Sequence, residues 1–205
     1  MRHSIFIALE GIDGSGKSTQ AKLLVERMHA NGINTIYSSE PTKGHIGVAI
    51  RNIFNGTIKT EESTIAILFA ADRLEHITEI RQLLNQNTSI VCDRYVLSSL
   101  AYHSVHVPMK WVQNINELAI QQLMPDITLY LDLPPLISLQ RIQERNVKVD
   151  VYENLDNLRK VHENYYKAIQ ILQEESNIKI VDATKPAHQL SEDIWNMVKH
   201  LFSSQ

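Results

Sequence analysis

Eight residues near the amino terminus, Gly11-Ile12-Asp13-Gly14-Ser15-Gly16-Lys17-Ser18, carry the densest chemical signal in the chain. They satisfy G-x-x-x-x-G-K-[ST], and each residue type has a task at a polyphosphate. Gly11, Gly14 and Gly16 let the backbone turn back and bring N–H groups, that of Ser15 among them, against phosphate oxygens. Lys17 is placed to neutralise charge on the outer phosphates, and the Ser18 hydroxyl suits Mg²⁺. Thr19 continues into the next stretch, whose positive helix end would face the same anion. Only seven glycines occur in the chain, and three of them fall in this loop. The motif follows an apolar run at 5–9 and opens an amphipathic stretch, which is the strand–loop–helix setting that a phosphate loop requires.

Other residues could serve such a loop. The apolar run 89–92 ends in Asp93, a carboxylate at a strand end. It can sit on the metal side through water, since Mg²⁺ keeps several waters, or simply cap the strand or pair with Arg94. Phe69 and Arg73 stand four apart on a helical stretch and so share a face, where a ring can stack on a base and a guanidinium can hydrogen-bond its edge. A helical Phe beside Ile65 and Leu68 is, taken alone, more often core. Arg94 offers planar bidentate donation to a phosphate; Arg51 is a second candidate, although surface arginines are common. Arg141 and Arg145 share a helical face leading into 145–153, a segment without periodicity that reads as a flap. Nine histidines are scattered; only His103 and His106 fall within one turn, without the carboxylates or thiols of a zinc site. There is no Ser-His-Asp or Cys-His arrangement and no Asn-Lys-x-Asp base-reading motif of switch GTPases.

The elements that must position these residues are legible as apolar runs at 5–9, 35–37, 89–92, 127–131 and 178–181, continuous rather than alternating, as in parallel strands covered on both faces. Helical spacing fills 18–31, 62–86, 153–176 and 187–202; Pro134-Pro135 starts a further helix, and Trp111 and Trp195 fall in helical stretches. The expected fold is α/β: a three-layer P-loop fold with a five-stranded parallel sheet, helices on both faces, right-handed crossovers, and ligands beyond the carboxyl ends of the strands. The 205 residues, 43% hydrophobic and 21% charged, suit a single domain over 1–205 with a short mobile lid at about 141–153. A net charge of -3 gives no basic field for nucleic acid. One cysteine, Cys92, excludes an internal disulfide and fits a reducing cytoplasm; no run is long enough to span a membrane.

From the first strand to the last, the chain resembles the thymidylate kinases of bacteria and archaea. The matching stretches are Ala8-Leu9-Glu10-Gly11-Ile12-Asp13-Gly14, Glu40-Pro41-Thr42, Leu68-Phe69-Ala70-Ala71-Asp72-Arg73, and Asp93-Arg94-Tyr95 with Ser98 and Ala101-Tyr102. Pro125-Asp126, Tyr130-Leu131-Asp132 and Asp182-Ala183-Thr184 follow in the same order. The resemblance implies transfer of the γ-phosphoryl of ATP to dTMP with Mg²⁺, in a homodimer. It implies that Phe69 stacks on thymine, Arg73 reads a base carbonyl and Arg94 clamps the acceptor phosphate. Glu40, Arg51 and Ser98 join the acceptor site, Asp13 holds the sugar 3′-hydroxyl, and Tyr102 crowds the 2′ position. ATP falls to residues 11 and 13–19, with Ser18 and Asp93 at the metal and 182–186 flanking adenine. Lys17 and Arg94 act in transfer together with a lid cation.

Three departures stand out. Positions 12–15 hold no arginine, so the lid must supply one, yet Val151 stands where relatives often carry it. Arg145 is then the first candidate and Arg141 the second. Ser39 and His103 replace the Arg and Gln common in relatives. Two other readings compete: a kinase for another nucleotide or deoxynucleoside, and a non-catalytic P-loop regulator.

Overall fold

A computed structural model describes residues 4–144, 154–174 and 176–202. Five strands form one parallel sheet in the order β2-β3-β1-β4-β5. They are β1 (Phe6–Glu10), β2 (Thr35–Ser39), β3 (Ser89–Asp93), β4 (Ile127–Asp132) and β5 (Ile178–Asp182). Each of the five apolar runs is therefore a strand, extended by a polar residue or two at its carboxyl end. That extension matters, because in-register pairing brings Glu10, Asp93, Asp132 and Asp182 to one edge. β1, β3 and all but the last residue of β4 are buried, so these three strands are the floor of the core. Each large aliphatic side chain buried there contributes about 1.5–3 kcal/mol.

Among the described residues eight α-helices surround the sheet: α1 (Lys17–Ala30), α2 (His45–Phe54), α3 (Glu62–Asn85), α4 (Val96–His103), α5 (Met109–Gln122), α6 (Pro135–Glu144), α7 (Leu155–Leu172) and α8 (Ala187–Val198). α1 packs on β2, β3 and α8, whereas α3, α4, α5 and α7 pack on one another. α1 stops at Asn31, whose N–H bonds back to Arg27 and Met28, and Gly32 supplies the left-handed turn at φ 76. α7 starts at Asn154, whose side chain accepts from Asn157 N at 2.9 Å, and buries Leu158, Val161, Tyr165, Ile169 and Leu172 at helical spacing. The last helix ends sooner than its spacing suggests and closes in a 3₁₀ turn, Lys199–Leu201. α2 was not legible; it docks by close approach at Gly47, where a Cβ would lie 1.9 Å from Thr42 O. Trp111 and Trp195 both pack against the core. No helix among the described residues is long and apolar enough to cross a membrane.

Candidate active site

The loop between β1 and α1 is wound tightly enough that its glycines have no substitute. Gly11 lies at φ 148 and Gly14 at φ 80, and a Cβ on them would strike Leu131 O at 2.7 Å and Ser138 O at 2.9 Å. The Ser138 hydroxyl, on α6, donates to Asp13 O at 2.5 Å and props the loop from behind. Lys17 is buried with its Nζ donating to Ile12 O at 2.9 Å. Burial, and then the neighbouring Arg94 cation, hold this ammonium down at about 8. Ser18 and Thr19 are exposed at the start of α1. The Ser18 hydroxyl donates to Asp93 Oδ2, while Asp93 Oδ1 is buried with no partner among the described residues. A hydroxyl and a carboxylate with one oxygen unspent make a hard-oxygen donor pair that fits Mg²⁺.

Beside the loop a cavity of about 230 Å³ is lined at one end by Asp13, Arg94, Ser98 and Tyr102 and at the other by Phe54, Ile65, Phe69, Arg73, Ser99 and His103. That is below the ~300–1,000 Å³ of drug-sized pockets, so it suits a base and sugar rather than a dinucleotide. Arg94 follows β3 at φ 75, an uncommon conformation for a side-chain-bearing residue that aims its guanidinium into the site. It donates to Ser98 Oγ at 3.1 Å, Tyr102 OH at 3.2 Å and Asp13, and lies 4.7 Å from the Tyr102 ring centroid. The Tyr102 hydroxyl donates to Asp13 Oδ2 at 2.8 Å. A phosphate-sized anion at Arg94 would thus lie next to the loop that carries Lys17.

Below this, Glu10 is fully buried and serves as an N-terminal cap for α4. It accepts from Tyr95 N at 2.7 Å, Ser98 N at 3.1 Å and Ser98 Oγ at 2.5 Å. Burial raises its pKa, against the opposing pull of these donors and Arg94. Tyr165, reaching in from α7, joins the same node: its hydroxyl is 3.1 Å from Glu10 Oε2, 3.0 Å from Gly11 O and 2.8 Å from Ser98 Oγ.

Phe69 faces the cavity, its ring 6.1 Å from Phe54 and 5.1 Å from His103. Glu40 and Arg73 line it too but bind each other, Nη2 to Oε2 at 2.5 Å, with His76 Nδ1 3.1 Å from the second Glu40 oxygen. Of the arginines expected at the acceptor phosphate or on the lid, Arg51 and Arg141 lie away from the cavity lining. Arg51 donates to Pro41 O at 3.1 Å and so steadies the segment carrying Glu40. Arg141 bonds to Ala183 O at 3.1 Å and Gly14 O at 3.5 Å, behind the phosphate loop and next to the 182–186 turn. Arg145 and the Val151 position lie outside the described residues. Sequence reasoning missed Glu10, Ser99, Asn116, Ser138 and Tyr165. Ser99 alone had a readable signal: it stands four residues before His103 on α4, parallel to the Ser98 and Tyr102 pair.

The phosphate loop shares a residue, Asp13, with the cavity beside it. Residues 9–194 match the family model described as thymidylate kinase. A protein of Methanococcus aeolicus named "Probable thymidylate kinase" is 44% identical over 80% of this chain and 79% of its own length. Proteins of the same name from Methanocaldococcus jannaschii and Pyrococcus horikoshii are 39% and 38% identical, over 90% and 95% of this chain and 90% and 96% of their own. The chain belongs to the thymidylate kinase family.

Proposed function

We propose that the protein transfers the γ-phosphoryl of ATP to dTMP, giving dTDP and ADP, with ATP on residues 11 and 13–19 and dTMP in the adjoining cavity. One observation supports this placement above others: Asp13 belongs to the phosphate loop and also lines the cavity, where Arg94 donates to it. The acceptor phosphate is mostly dianionic at neutral pH, with a second pKa of about 6, and needs no general base. Catalysis is then positioning and charge cancellation along an in-line path. Lys17 holds the outer phosphates of the donor, and Arg94 turns the acceptor oxygen toward them. The acceptor displaces contacts already present: its phosphate takes the guanidinium, and its 3′-hydroxyl replaces Tyr102 or Arg94 on Asp13. Phe69 stacks on the base, with Arg73 fixed by Glu40 at its edge. Tyr102 sits where a 2′-hydroxyl would go. Ser98 orients Arg94, and Arg51 acts through the 40–41 segment.

Ser18 and Asp93 would hold Mg²⁺, which supplies neutralising charge on the donor phosphates when bound. The contacts of Arg141 with Gly14 and Ala183 support a place on the donor side, with Arg145 as the lid cation of this reading. The same reading carries a single domain with its lid at 141–153, a homodimer and a cytoplasmic location, checkable by limited proteolysis, sedimentation and fractionation. A coupled assay of ADP release against a panel of nucleoside monophosphates tests the reaction. dTMP should give the highest kcat/KM, and EDTA should abolish turnover. Tight ATP binding with no monophosphate-stimulated turnover would leave only a nucleotide-binding regulator.

A further inference from the structure

Tyr165 lies on α7, away from the cavity lining, yet it reaches past α4 to the carboxyl end of β1. It is fully buried, its ring edge-on to Tyr102 with centroids 6.2 Å apart and 4.9 Å from the ring of Tyr130. Its hydroxyl meets oxygens from three segments: Ser98 Oγ of α4 at 2.8 Å, Gly11 O at the head of the phosphate loop at 3.0 Å, and Glu10 Oε2 of β1 at 3.1 Å. A phenol has one hydrogen to give. Burial first, and the Glu10 charge second, raise the Tyr165 pKa, so that hydrogen stays in place at neutral pH.

Ser98 links this node to the acceptor side. Its Oγ lies 2.5 Å from Glu10 Oε2, the shortest contact of the node, so its own hydrogen goes to that carboxylate. A hydroxyl oxygen has two lone pairs besides. One receives Arg94 Nη1 at 3.1 Å, and the other faces Tyr165 OH at 2.8 Å. With both taken, the Ser98 hydroxyl has nowhere to rotate. It holds one edge of the Arg94 guanidinium while Asp13 and Tyr102 hold the other. The preceding residue on α7 gives a contrast: Asn164 Nδ2 donates to Ala101 O at 3.1 Å, which docks the same two helices without a bond to Ser98 or to the loop. Docking of α7 and orientation of Ser98 are therefore separable.

We propose that Tyr165 is a positioning residue for the acceptor phosphate: its hydroxyl, sent in from α7, holds Ser98 and the Gly11 carbonyl and so keeps the Arg94 guanidinium turned toward the phosphate loop. Removing that one hydroxyl leaves a serine lone pair and a carbonyl oxygen facing a bare ring edge in a site closed to water, and the serine is free to turn away from Arg94. The effect belongs to the phosphate end alone. Among the described residues no hydrogen bond or ring contact joins Tyr165 to Phe69, Arg73 or His103 at the other end. The inference rests on the acceptor placement proposed above and deepens it.

The experiment compares dTMP with thymidine, which has the same base and sugar and no phosphate, on the full chain. Affinities are measured by calorimetry, thymidine by competition with dTMP, for wild type, Tyr165→Phe, Asn164→Ala, Ser98→Ala and the Ser98→Ala/Tyr165→Phe pair. Tyr165→Phe, which keeps the ring, should weaken dTMP about tenfold and leave thymidine within about twofold, so the ratio of the two affinities falls. Its kcat should fall as well, because a turned guanidinium aims the acceptor oxygen poorly, while the KM for ATP stays unchanged. Asn164→Ala should lower stability in urea unfolding and keep the wild-type ratio. The pair should lose less than the product of the two single losses, because both act on one guanidinium. An unchanged ratio in Tyr165→Phe, thymidine weakened as much as dTMP, an equal fall in Asn164→Ala, or losses that multiply in the pair overturns the inference, while turnover of dTMP by wild type keeps the kinase reading standing. Should Tyr165→Phe fail to fold, Ser98→Ala decides: a lowered ratio supports the link to Arg94, and an unchanged one removes it and the inference with it. Wild type that binds dTMP no more tightly than thymidine overturns the acceptor placement and the inference together.

Discussion

Arg94 shows how much one residue is asked to do: it donates to three side chains, lies over a ring and holds a left-handed backbone angle. A lysine carries the same charge but only a point of donation, and cannot span Asp13, Tyr102 and Ser98 at once. Arg94→Lys should therefore lower kcat/KM for dTMP by about a hundredfold or more while leaving ATP binding, measured by calorimetry, nearly unchanged. Phe69→Ala removes the ring and should raise the KM for dTMP by roughly tenfold, with little effect on that for ATP. The two residues were differently legible. Arg94 follows a strand that ends in Asp93, which the sequence places at the ligand edge. Phe69 and Arg73 share a helical face by spacing, yet spacing says nothing of Glu40 and Asn116, and it is these that turn Arg73 onto the protein rather than outward.

The helices carry most of the proposed acceptor site, and contacts from other segments hold them to it. α4 presents Ser98, Ser99, Tyr102 and His103; its first turn is fixed by Glu10 from β1 and Tyr165 from α7. α2 ends in Phe54, which lines the cavity, and rests on the 41–42 segment only because Gly47 has no side chain. Thr42 cannot yield easily, since Asp72 takes both its N–H and its hydroxyl at 2.7 Å. Gly47→Ala should thus push α2 outward, costing about 1–3 kcal/mol in urea unfolding and raising the KM for dTMP more than that for ATP. α2 was hidden in the sequence because its stretch contains a helix-weakening glycine and owes its place to a backbone contact. α1, α3 and α7, with long amphipathic or buried stripes, could be read to within a few residues.

For the molecule as a whole, pH sensitivity should trace in part to His103. Its pKa is depressed to about 3 from 6.5, by burial first and by the Arg73 charge second. The unfolded chain takes up the proton below 6.5 and the folded one does not, so stability present above pH 6.5 is lost as pH falls toward 3. At pH 5 the loss is on the order of 2 kcal/mol. Denaturant unfolding of wild type and His103→Gln at pH 7 and pH 5 should show a smaller fall in the variant; equal falls would remove His103 as the cause. The amino-acid sequence by itself determined the parallel five-stranded sheet, the phosphate loop at its centre and the family, because continuous apolar runs and a fixed eight-residue pattern are local and covalently ordered. The tertiary structure alone decided which polar groups are spent on the protein and which remain for a ligand. Asp93 keeps one oxygen, whereas Arg73 gives its terminal N–H groups to Glu40, Tyr95, Asn116 and Ser99. Hydrogen-bond direction is settled by partners from other elements, brought together only when the chain closes around its core.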